Sequence, residues 1–171
     1  MKTTSKNAMN GFTLIEISLV ALIIMMLATM ALPTFKSNIS SAQVAAVQSQ
    51  LGRMRTACDF YTFQHFEDMP GLDSPTGAWS GQILLNQLQM SSDRDGATAT
   101  VGTSGFPFGP YLRDVLPANP FNELSTILVL QPGETFVTPD NSTGWVYWAD
   151  TGIFKINSTV VADDGTVVFE L

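Results

Sequence analysis

Glu16 is a carboxylate inside a stretch that otherwise suits a membrane. Of the 21 positions from Phe12 to Leu32, only Thr13, Glu16, Ser18 and Thr29 are not apolar. A carboxylate in such a run costs up to about 2.5–3.5 kcal/mol at a bilayer centre and less near an end, so it usually has a partner. The question is which cation can reach it. Were the chain cut between Gly11 and Phe12, a free α-amine would stand four residues ahead of Glu16, at the start of the same helix. In copies packed side by side, the carboxylate of one would meet the amine of its neighbour in a low-dielectric setting, where the attraction is strong. Such a pair would fix the axial register between copies.

The remaining reactive residue types point to less. Cys58 and His65 are the sole cysteine and histidine. A nucleophile and base could be built from them, but both fall on the apolar stripe of a helix and read as packed residues. Asp93, Asp95 and Gly96 in SSDRDG place oxygen ligands at alternate positions, as a calcium loop does. The stretch that follows, ATATVGTSG, lacks the glutamate such a loop requires, so SSDRDG reads as a turn. The sequence contains no phosphate loop, zinc-ligand cluster or nucleophile elbow, which argues against an enzyme. Trp79, Trp145 and Trp148 offer a surface for a glycan or a secreted protein; the plainer reading is that they pack against a helix.

Charge and length narrow the class further. A net charge of −7 and a pI near 4.4 argue against a broad basic surface, and no nucleic-acid partner is expected. The 171 residues hold the apolar segment and one globular domain of about 100 to 135 residues. With one cysteine there is no intrachain disulfide, so that domain is held by its core, a metal or partner subunits.

Four segments position these groups. Residues 1–11, MKTTSKNAMNG, form a leader carrying Lys2 and Lys6 and no acid. Residues 12–32 span roughly 30 Å as a helix, enough to cross a bilayer, and the basic leader stays cytoplasmic by the positive-inside tendency. An ordinary signal peptide is the alternative, with Thr29-Met30-Ala31 as its cleavage site. The length of the run and Glu16 weigh against it. Residues 33–66 continue the helix in amphipathic form, to a total of roughly 80 Å. Val47, Leu51, Met54, Cys58 and Tyr61 recur on one face, and Phe35 and Ile39 begin that stripe. Pro33, lacking an amide hydrogen, is expected to kink the helix.

Residues 67–171 form the globular region. Asp68-Met-Pro-Gly71 signals the helix end, and Ile83–Met90 a short second helix. Strands are expected at Thr126–Leu130, Gly144–Ala149 and Ile153–Asn157, the last two joined as a hairpin at Asp150-Thr151-Gly152. A final strand, Thr166–Leu171, is expected after the turn Asp163-Asp164-Gly165. Short connections lead us to expect antiparallel pairing. The fold class is α+β: a long N-terminal helix, its first half membrane-spanning, packed on a small antiparallel sheet.

GFTLIEISLV behind a short basic leader resembles the cleavage and methylation motif of type IV prepilins and of the pseudopilins of type II secretion systems. The resemblance implies that a prepilin peptidase cuts between Gly11 and Phe12 and methylates Phe12. Glu16 is then fifth in the mature chain and recruits and registers the next subunit, and many pilins carry a proline at the position of Pro33. GPYLRDVLPANPFN, at residues 109–122, resembles the Pro-Tyr-Leu and Pro-x-x-Pro segment of major pseudopilins, and GWVYWADTG resembles a pseudopilin hairpin. The sequence lacks the C-terminal cysteine pair of many adhesive pilins, which favours a pseudopilin-like or noncanonical pilin over those, and the chain as a whole most resembles the major, G-type pseudopilin.

That resemblance implies a pilin-like fold and a structural subunit of a secretion pseudopilus that helps move proteins across the outer membrane. The subunit would sit in the bacterial inner membrane as a single-pass protein with its domain in the periplasm, and then enter a periplasmic filament. Its implied partners are further copies in a homo-oligomeric helical filament, other pseudopilins, the peptidase, and an inner-membrane assembly platform with its ATPase. No cofactor is expected beyond calcium, which major pseudopilins bind in their C-terminal loops. Here Asp150, Asp163 and Asp164 are the available ligands, although the Asp-rich loop pattern is missing. The rival readings are a membrane-anchored periplasmic binding module that keeps residues 1–32 as its anchor, and a type IV pilus subunit for adhesion, motility or DNA uptake.

Overall fold

A computed structural model describes residues 12–135 and 138–171, with the backbone alone over 32–39. The chain divides into two units, residues 1–39 and 40–171. Helix α1 (Leu14–Gln64) starts in the first and ends in the second. In the first unit every described side chain from Phe12 to Ala31 is exposed. Leu14–Ala31 is long and apolar enough to cross a membrane. The backbone remains helical through Pro33, and the expected kink falls among residues whose side chains are not described.

In the second unit the 3.6-residue period does what the sequence demands. Val47, Leu51, Met54, Cys58 and Tyr61 are all at most 2% exposed and form one wall of the core. Opposite them lie Leu84 and Leu88 of α2 (Gly81–Gln89) and Trp145, Tyr147, Phe154 and Ile156 of the main sheet. Helix α2 begins two residues before its apolar run because the Ser80 hydroxyl accepts from Ile83 N–H at 3.1 Å, an N-cap that satisfies one of the free donors of the first turn. The end of α1 falls earlier than the Pro-Gly signal. Phe66 and Glu67 adopt left-handed φ values of 57° and 71°, and Glu67 N–H reaches back to Thr62 carbonyl at 2.9 Å, the six-to-one bond of a Schellman-type terminus.

Two short antiparallel ribbons follow α1: β1 (Leu72–Asp73) with β2 (Ala78–Trp79), and β3 (Ser91–Ser92) with β4 (Thr98–Ala99). The main sheet has the order β5 (Ile127–Leu130), β6 (Trp145–Trp148), β7 (Phe154–Ile156). The expected hairpin is present: β6 and β7 are antiparallel, with Trp145 opposite Ile156 and Tyr147 opposite Phe154. These four enter the core, while the intervening pair, Val146 and Lys155, belongs to the other face. A slip of one residue would reverse every one of them.

Two expectations fail here. β5 and β6 run parallel, not antiparallel. Their connection, residues 131–144, reaches the dozen or so residues a return crossover needs. The final strand does not form either. Val161 and Val167 make an isolated bridge, and the chain then turns into a 3₁₀ helix, Val168–Glu170. Val168 is fully buried there, and Arg55 Nη2 donates both to the Leu171 carbonyl at 3.1 Å and to the Phe154 carbonyl of β7 at 2.7 Å, which ties Leu171 to α1 and to the edge of the sheet without a strand ladder.

Candidate assembly segment and the acidic turns

Gly11 lies outside the described residues, and Phe12 is 83% exposed just ahead of the first turn of α1. Thr13 and Glu16 then lock that turn from both sides. Glu16 Oε2 accepts from the Thr13 backbone N–H at 2.8 Å and from its hydroxyl at 2.7 Å. In return Glu16 N–H donates to Thr13 Oγ1 at 3.3 Å. This is a capping box, in which two donors of a helix start are satisfied reciprocally. Its signature, Thr-x-x-Glu before an apolar run, stands in the sequence as TLIE, and reading Glu16 for its charge alone overlooks Thr13. Glu16 Oε1 takes no hydrogen bond among the described residues. One oxygen is therefore committed to the helix and the other is open to an incoming donor.

Cys58 and His65 do not form a reactive pair. Cys58 is 2% exposed, and burial pushes its thiol up, so the nucleophilic thiolate is disfavoured. The His65 ring stacks on Tyr61, with centroids 3.8 Å apart. Its Nδ1 lies 2.8 Å from the Tyr61 carbonyl, and its Nε2 lies 2.9 Å from the Asp93 carbonyl and 3.1 Å from Ser92 Oγ. The ring joins the end of α1 to the β3–β4 ribbon. Trp145 is fully buried, its Nε1 donating to the Pro117 carbonyl at 3.0 Å, and Trp79 and Trp148 are half-buried. The three tryptophans thus present no open aromatic platform.

The acids stand in separate turns. Asp93 Oδ1 accepts from Asp95 N–H at 3.0 Å and Ala97 N–H at 2.9 Å, which makes SSDRDG a self-capped turn. Asp150 is exposed in the β6–β7 hairpin, and Asp163 and Asp164 are exposed in the turn bridged by Val161 and Val167. The Asp164 carboxylate accepts from Thr166 N–H at 2.9 Å, which holds its carboxyl below the usual range. Among the described residues no three His, Cys, Asp or Glu side chains gather as a metal site.

A polar lattice that no motif marks holds the crossover between β5 and β6. Asn157 is fully buried; its amide donates to Asp140 Oδ1 at 2.7 Å and its Oδ1 accepts from Asp140 N–H at 2.9 Å. Asn119, also fully buried, donates to the Gly144 carbonyl at 3.1 Å, and Asn122 donates to the Thr143 carbonyl at 2.8 Å. Buried amides of this kind are conspicuous only once their partners, distant in sequence, are known.

No family model matches the chain, and no solved structure matches it. Curated relatives do. Type IV major fimbrial protein FimA of Dichelobacter nodosus is 44% identical over 54 residues, 32% of this chain and 35% of the relative. The type IV major alpha-pilin of Moraxella bovis is 35% identical over 101 residues, 58% of this chain and 62% of the relative. Fimbrial protein Q of the same organism is 43% identical over 58 residues, 34% of this chain and 37% of the relative. The chain thus spans roughly one to two thirds of the length of these relatives. With an exposed apolar helix opening on a capped glutamate and an α+β unit beyond it, this chain is similar to the type IV major pilins.

Proposed function

We propose that this chain is a pilin-type structural subunit, stored in a membrane by the first part of α1 and assembled into a helical filament by packing that helix against further copies. The observation that carries the reading is the start of α1. An apolar helix with every described side chain exposed up to Ala31 must be covered by lipid or by other copies. It opens with a glutamate that keeps one oxygen open. After cleavage between Gly11 and Phe12, the Glu16 carboxylate of one copy pairs with the Phe12 amine of the next. The capping box lies wholly downstream of that cut and persists in the mature chain.

Two settings fit this subunit. One is a type II secretion pseudopilus, supported by the Gly109–Asn122 segment and the GWVYWADTG hairpin. The other is a type IV pilus, supported by the names of the relatives. In either, extraction from the bilayer needs work from an assembly platform and its ATPase. Deleting the gene separates the two settings: loss of protein release marks the first, and loss of surface filaments with secretion intact marks the second.

The first test is the intact mass and N-terminal sequence of the protein taken from its own membranes. A chain beginning at N-methylated Phe12 is expected. A chain beginning at Met1 would replace this reading with an anchored binding module, and one beginning at Leu32 with a cleaved signal peptide. Glu16→Ala is expected to be cleaved normally and to yield no filament, and normal filaments from it would overturn the role given to the carboxylate.

A further inference from the structure

Within the globular unit, α1 has a second face that the core does not use. A groove of about 590 Å³ runs beside it, lined by Gly52, Arg53 and Phe60 of α1 and by Tyr111, Arg113 and Asp114 of the segment that follows α2. A Cβ added at Gly52 would meet nothing within 4 Å, so the groove is open there. Phe60 is 58% exposed. Arg53 pairs with Asp114 at 2.5 Å, while Arg113 has no hydrogen-bond or ion-pair partner among the described residues. On a chain of net charge −7, this places two of the eight Lys and Arg residues at one partly apolar groove.

We propose that the groove receives the turn at residues 161–167 of a second copy of this chain, a contact that rests on the filament reading above and names one of its surfaces. The turn is closed by the Val161–Val167 bridge and seated by the buried Ala162, with Asp163 and Asp164 exposed within it. Val161 and Val167 are 58% and 46% exposed. Apolar flanks with two carboxylates complement a groove whose lining mixes apolar side chains with two guanidinium groups, one paired with Asp114 and one unpaired, and such complementarity selects one partner surface among many. A chain cannot fill its own groove. Asp163 N–H donates to Ser40 Oγ at 3.2 Å, which holds the turn at a point on α1 twelve residues, or about 18 Å, before Gly52. The contact therefore joins two different patches offset along one helix, a heterologous arrangement that propagates as an open filament unless the rotation closes a ring.

The test uses filaments sheared from cells producing the full chain with its own assembly machinery. Arg113→Cys combined with Asp163→Cys is expected to give a ladder of covalent multimers on oxidation. Either change alone should leave monomers, since Cys58 is buried. Arg113→Glu and Asp163→Arg are each expected to lower filament yield about tenfold, and together to restore it to within about twofold. Gly52→Leu reaches into the groove and is expected to lower the yield as strongly without lowering the melting temperature of the detergent-solubilised chain, which separates blocked docking from misfolding. If filaments form without a ladder and tolerate both charge reversals and Gly52→Leu, the groove contact is wrong and the filament reading survives. Disulfide dimers from either single cysteine would also overturn it, because they would show like patches meeting. If the unaltered, processed chain forms no filament, both readings fall.

Discussion

Asp140 sits in the crossover between β5 and β6, where its carboxylate accepts from the Ser142 backbone N–H at 3.0 Å, the Asn157 amide at 2.7 Å and the Ser142 hydroxyl at 2.7 Å. The backbone donor contributes most, and together these donors hold its carboxyl at about 2, below its ordinary 3.8. The sign follows directly: a depressed carboxyl contributes stability above its unfolded value and loses it as pH falls through the folded one. The melting temperature of the detergent-solubilised chain should therefore fall between about pH 4 and pH 2 through this group. Asp140→Asn should melt lower than the wild type at pH 7 and lose that part of the acid dependence. Thermal melts at pH 7, 4 and 2 check both, and an unchanged acid limb in the variant would remove Asp140 from the account. Glu16 was legible from its sequence position, because an acid in an apolar run stands out without any structure. Asn157 was not, since the partners that make it important lie 14 to 38 residues away in sequence.

The crossover also depends on how closely two segments approach. A Cβ built on Gly144 would lie 2.0 Å from the Leu124 carbonyl oxygen, and that oxygen already accepts from Asn119 N–H at 2.9 Å. Gly144→Ala must then push a backbone segment aside and strain the entry to β6, at a cost of about 2–4 kcal/mol. A chemical-denaturation curve with its midpoint unmoved would contradict this. At Gly52 the opposite holds, because an added methyl meets nothing and alanine is the better helix former. Gly52→Ala should raise stability by about 0.5–1 kcal/mol in the same measurement. The elements set by a local period or turn signal were legible: the core stripe of α1, the short helix α2 and the β6–β7 hairpin. The direction of β5 was not. It depends on where residues 131–144 are anchored, and those anchors are the non-local amides of Asn119, Asn122 and Asn157.

At the scale of the whole chain, the buried apolar residues among the described ones begin at Val44 and belong to the second unit. A fragment comprising residues 40–171 should therefore fold by itself in water without detergent and melt cooperatively within a few degrees of the full chain. Circular dichroism of the purified fragment is the check, and a non-cooperative melt would show that the first 39 residues contribute to the fold. By itself the sequence determined the membrane-sized helix, its misplaced acid, the face of α1 that packs inward and the α+β class. Each of these is written in neighbouring residues or in a period of a few residues, which local sterics and hydrophobicity enforce. Tertiary structure alone decided the parallel pairing of β5 with β6, the turning of residues 168–170 into the core rather than into a strand, and the groove beside Gly52. Those outcomes depend on which distant groups meet: Arg55 with the carbonyl of Leu171, Asn157 with Asp140, and Arg53 with Asp114. No local pattern encodes them, because their energies arise only when the chain has closed on itself.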